Sequence, residues 1–99
     1  MREITHGDIV TAARVLLARP EAEWPAVMAQ MLEAAHSGDC HRKALGRVHP
    51  RLGTGTLISV AMAFGPAPVP RPSDSRYLRA LATVLAGVLA WRAARSPFP

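Results

Sequence analysis

The sequence predicts an all-α fold: a small helical domain, made of a helical hairpin plus two short helices, then a Pro-rich spacer and a C-terminal apolar helix. Three observations predict it. Apolar side chains recur at three- and four-residue spacing in successive stretches, which is the repeat of one helix face. Cap-forming residues stand before those stretches, and Gly or Pro stands after them. The one run that reads as a strand, Leu57-Ile58-Ser59-Val60, has no partner run, and an isolated strand is not stable.

The first helix is expected at about 6–18. Thr5 is its N-cap, and Asp8 three residues on completes a capping box. Asp8 also suits the positive end of the helix dipole. Ile9, Ala13, Leu16 and Leu17 form the apolar stripe, and Pro20 ends the helix. Pro25 suits the first turn of the next helix, where its missing N–H costs nothing. Val27, Met28, Met31, Leu32 and Ala35 carry that helix to about 37, and Gly38 is its stop. The short connection between the two favours an antiparallel hairpin. Asp39 reads as the cap of a third helix at 40–47, closed by His49-Pro50 because the residue before proline avoids the helical region.

Gly53-Thr54-Gly55-Thr56 reads as a loop, with Thr54 or Thr56 capping a fourth helix that carries Leu57, Ile58, Ala61 and Met62. The alternating prolines of 65–72 predict a polyproline-II spacer, roughly 20–25 Å long at ~3.1 Å per residue. Ser73 is the expected cap of the last helix, at about 74–94. Leu81, Val84, Leu85, Val88, Leu89 and Trp91 make that helix apolar on nearly every face, and such a helix is buried all round. A chain this small can hardly surround it, so either it packs across helices one to four with one face and on a partner with another, or it is the oligomerisation element, and those six residues are the candidate interface for oligomerisation or partner docking. The tail at 96–99 is expected to be mobile. The organisation is therefore a helical domain at 1–64, a spacer at 65–73 and a C-terminal helix within 74–99.

The length of 99 residues suits one domain. Eighteen of those residues are alanine, so core volume rests on few large side chains. The single cysteine, Cys40, excludes an internal disulfide and fits a reducing compartment. The first residues do not read as a signal peptide. The apolar run at 80–91 is too short to span a bilayer. The expectation is a cytoplasmic chain with no membrane role.

Charge is unevenly spread. Residues 1–39 hold three arginines against six carboxylates. Residues 40–73 hold Arg42, Lys43, Arg47, Arg51 and Arg71 with no acid. Residues 74–99 hold four arginines against Asp74. The basic run at 41–51 is the strongest functional candidate. Arg42, Lys43, Arg47 and Arg51 are the expected contacts to DNA phosphates, with Lys43 and Arg47 one helical turn apart. Such contacts release counterions and weaken with salt. No aromatic residues interleave with them, so duplex backbone contact of low specificity fits better than single-strand stacking.

Other chemistry is not favoured. His36 and Cys40 have a metal-ligand spacing, but a helix break at Gly38 removes its meaning, and no second close pair exists. The Gly53–Thr56 turn lacks the lysine of a phosphate-binding P-loop. No nucleophile elbow surrounds Ser59. The reading is non-enzymatic, with no cofactor and no metal.

The stretch from His6 to Leu17, HGDIVTAARVLL, and the stretch from Gly46 to Leu57, GRVHPRLGTGTL, resemble small terminase-like proteins of alphaproteobacterial (Rhodobacterales) gene transfer agents. The resemblance covers about 5–63. It implies a helical, homo-oligomeric, ring-forming DNA-packaging adaptor that contacts DNA and recruits a large terminase motor. The chain lacks the N-terminal helix-turn-helix usual in phage relatives, which puts sequence-specific recognition in doubt. The alternative from the residues alone is a small protein–protein interaction module that docks through its C-terminal helix and binds no nucleic acid.

Overall fold

The computed structural model of the chain describes residues 2–50 and 53–95. Arg51 and the tail at 96–99 lie outside the described residues. Within them the fold is all-α, with helices α1 (His6–Leu17), α2 (Trp24–Leu45), α3 (Leu57–Phe64) and α4 (Ser75–Arg95). One 3₁₀ turn, Glu21–Glu23, joins α1 to α2.

The capping box on α1 forms as expected. Asp8 N donates to Thr5 Oγ1 at 3.3 Å, and Thr5 N donates to Asp8 Oδ2 at 2.7 Å. Thr56 caps α3, its Oγ1 accepting from Ser59 N at 3.3 Å. The cap of α4 is Asp74 rather than Ser73: Asp74 Oδ1 accepts from Tyr77 N at 2.9 Å. The carboxylate is the stronger acceptor and faces the positive helix end.

The largest departure is in α2. The helix runs unbroken through Gly38 and Asp39 for 22 residues, so the expected stop at Gly38 and the separate helix at 40–47 are one element. A single interior glycine costs a helix only about 1 kcal/mol relative to alanine. Packing outweighs that here, since Gly38 and Asp39 are both buried. The Asp39 carboxylate bonds to side chains one turn ahead instead of capping a new helix. The stop is Gly46, left-handed at φ 66°, whose N–H donates to Arg42 O at 2.8 Å.

The core is drawn from all four helices: Val15 and Leu16 of α1, Met31 of α2, Leu57 of α3 and Val84 of α4 are fully buried. α1 leans mainly on α3 and α4, and α2 packs on the same pair. Trp24 locks the α1–α2 corner, its indole N–H donating to Leu16 O at 2.5 Å and Arg19 O at 3.1 Å. Gly87 allows a close approach of α4 to α2: a Cβ there would sit 2.8 Å from Met28 Cγ.

The Pro-rich segment runs beside α1. Ala67 N donates to Arg14 O at 2.9 Å, and Arg14 Nε donates to Ala67 O at 2.6 Å. Arg19 reaches Phe64 O at 3.1 Å. By length and composition α4 is apolar enough to cross a membrane, more so than the run at 80–91 suggests. Its Tyr77, Ala80, Val84 and Val88 are nevertheless buried in the core shared with α1 and α2.

Candidate functional site

The basic segment occupies the C-terminal end of α2 and the turn that follows. Arg42 and Lys43 both close onto Asp39, Arg42 Nη2 at 3.2 Å from Oδ1 and Lys43 Nζ at 3.1 Å from Oδ2. The carboxylate is 1% exposed, whereas Lys43 is 67% exposed and Arg42 36%. Burial alone raises the Asp39 pKa. Cationic donors, Lys43 and Arg42 among them, outweigh it and hold the carboxyl down at about 2. An acid two residues before the basic run therefore offsets part of its charge. Arg42 Nε is buried without a hydrogen-bond partner.

Arg47 lies past the cap of α2. It is exposed and has no ion-pair partner among the described residues. The His41 and His49 rings meet edge to face at 4.6 Å, which folds the turn back on the helix end. That turn is fixed by a pair of backbone bonds between His49 and Gly53, at 3.3 and 3.1 Å. Gly55, at φ 91°, presses on α2: a Cβ there would lie 2.5 Å from Asp39 Cα. Only glycine fits both the conformation and the space. The Gly53–Thr56 turn is thus a packing device against Asp39.

Because α2 is continuous, His36 and Cys40 do share a helix face, with Cys40 Sγ 3.6 Å from His36 Nε2. Among the described residues no three His, Cys, Asp or Glu side chains converge as a metal would require.

The candidate interface on α4 divides in two. Val84 and Val88 are buried in the chain's own core, and Leu81 and Trp91 are half-buried against it. Leu85 and Leu89 stay 47% and 69% exposed, beside the exposed Leu78. The helix is therefore not surrounded: α1 and α2 take one side, and the other side stands open. Next to that open side is an apolar groove of about 570 Å³ between α2 and α4, lined by Pro25, Met28, Ala29 and Leu32 and by Ala86, Gly87, Ala90 and Trp91.

Several arginines that composition counts as available cations are committed to the fold. Arg76 donates to Leu17 O at 2.8 Å and Arg19 O at 2.7 Å, and lies over the Trp24 ring. It thereby satisfies carbonyls at the end of α1 that have no helical partner. Arg79 pairs with Glu21 at 2.8 Å, and Arg95 pairs with Glu33 at 3.0 Å. The Arg79 hydrogen bond holds the Glu21 carboxyl below its ordinary value. These partners lie more than 50 residues away in sequence, so linear charge patterning carries no trace of them.

No curated protein and no solved structure matches the chain. The family model for DUF7742, a domain of unknown function, matches residues 2–88, and the chain belongs to that family.

Proposed function

We propose that the chain is a non-catalytic, small-terminase-like DNA-packaging adaptor: an oligomer that touches the DNA backbone and engages a large terminase motor. The observation that carries this reading is the cationic end of α2. Arg42, Lys43 and Arg47 project from one helix end, with Lys43 and Arg47 open to solvent. The carboxylate of Asp39 holds Lys43 and Arg42 in place, and pre-ordered cations lose less entropy on meeting a phosphate. The resemblance of the segments around Asp8 and Pro50 to gene-transfer-agent small terminases supports the packaging role. The open Leu78, Leu85 and Leu89 face of α4 supports contact with further subunits or with a motor.

Arg47 is the residue to change, because replacing Arg42 or Lys43 would strip partners from a buried carboxylate. Arg47→Glu is expected to weaken binding of a random-sequence duplex about tenfold at low salt, read by fluorescence anisotropy, with helicity unchanged by circular dichroism. Unaltered affinity would remove the helix end from the DNA-binding surface.

One observation favours a second reading. Asp39 offsets Arg42 and Lys43, and five other arginines are held within the fold. On that reading α4 docks a protein partner and there is no nucleic-acid role. The wild-type chain would then show no salt-sensitive affinity for DNA.

A further inference from the structure

Beyond the end of α2, cations also collect where the N-terminal segment, α2 and the end of α4 meet. A cleft of about 420 Å³ opens there, lined by Arg2, His36, Trp91, Arg92 and Arg95, with Glu3 as its one acid. Arg95 forms part of the wall: its guanidinium stacks on Trp91 at 3.2 Å and bonds to Glu33. The His36 ring meets the other aromatic edge, with centroids 5.7 Å apart. Arg2 and Arg92 are exposed, and neither side chain has a hydrogen-bond or ion-pair partner among the described residues.

The cleft adjoins the end of α2. Arg2 N donates to Gly55 O at 3.3 Å. Gly55 lies directly on the Asp39 backbone, and Asp39 holds Arg42 and Lys43. From His36 to Leu45 the path follows α2 for roughly 14 Å at ~1.5 Å per residue, and Arg47 stands just past its Gly46 cap. The N-terminal segment thus links the cleft to the Asp39 cluster through Gly55.

We infer that Arg92, Arg2, Lys43 and Arg47 form a single track for the phosphates of duplex DNA, with Arg2 and Arg92 as contacts outside the basic segment. Spaced cations along an open path suit a polyanion of regular repeat, and guanidinium forks suit phosphate oxygens. The inference rests on the DNA-adaptor reading and adds a second half to its surface.

The test is the salt dependence of binding a labelled random-sequence duplex, measured by anisotropy on the full chain. Neither Arg2 nor Arg92 supports the fold, so Arg2→Ala/Arg92→Ala is expected to keep its melting temperature. Each phosphate that a cation neutralises adds about 0.9 to the steepness of log K against log salt, so the double variant should be shallower by about 1.8. Arg2→Lys/Arg92→Lys should keep the wild-type slope. Arg71→Ala removes an exposed arginine elsewhere and should leave the slope unchanged. If the double alanine variant keeps the wild-type slope while Arg47→Glu weakens binding, the track is wrong and the adaptor reading stands. A flattening for Arg71→Ala as large as that per track residue means net charge alone is felt, and also overturns the track. If the wild-type chain does not bind the duplex at all, both readings fall.

Discussion

Asp8 shows how much one side chain carries in this fold. Its Oδ2 closes the α1 capping box, accepting from Thr5 N at 2.7 Å and Thr5 Oγ1 at 2.9 Å. Its Oδ1 accepts from Ile58 N, in the first turn of α3, at 2.7 Å. One buried carboxylate therefore caps two helices and pins their N-termini together. Removing it takes the acceptor from two part-buried backbone N–H groups. Asp8→Ala is expected to cost on the order of 2–3 kcal/mol in urea unfolding. A cost under about 0.5 kcal/mol would mean that the α1–α3 bond is not made in solution. The α1 half of this role was legible from Thr5 and Asp8 at cap spacing. The α3 half was not, because no local pattern reports a partner 50 residues away.

At the scale of elements, α4 is tied to the rest of the chain more tightly than its sequence suggests. It supplies Tyr77, Ala80, Val84 and Val88 to the core, and its Arg76 closes the end of α1. The 65–73 segment is itself bonded to α1 through Ala67. A chain cut after residue 73 is therefore expected to lose cooperative thermal unfolding and most of its helical circular dichroism signal. A truncated chain that melts sharply would instead make 1–64 an independent domain and α4 an appendage. The departure in α2 has a related cause. Gly38 carries a stop signal whose strength, about 1 kcal/mol, is less than burial of a core residue supplies. Propensity named the alternatives, and packing chose between them.

At the scale of the whole molecule, the folded charge distribution is not the linear one. The acidic stretch at 1–39 supplies Glu21, Glu33 and Asp39 to pair with arginines and a lysine, leaving Arg2, Arg47, Arg71 and Arg92 as open cations among the described residues. The pairing makes stability depend on acid. The Asp39 carboxyl is held at about 2, below its ordinary 3.8, so the folded state favours the ionised form. That stability is fully present above about pH 4 and is lost as pH falls toward 2. The chain is expected to melt at a progressively lower temperature across that window, and Asp39→Asn should flatten the dependence. A wild-type profile that is flat between pH 4 and 2 would show that the Asp39 cluster opens in solution.

The sequence by itself determined the all-α class, the starts of α1 and α3 and the apolar stripes, because caps and helical periodicity are local physics. It also determined the basic run at 41–51. Only the tertiary structure decided that α2 is one helix, that α4 buries one side and opens the other, and which cations stay free. Those outcomes depend on packing and pairing between segments well apart in the chain, such as Gly55 against Asp39, Arg76 with Leu17 and Arg95 with Glu33. Burial and long-range hydrogen bonding outweigh a weak local signal wherever the two compete, and neither is written in any short window of the chain.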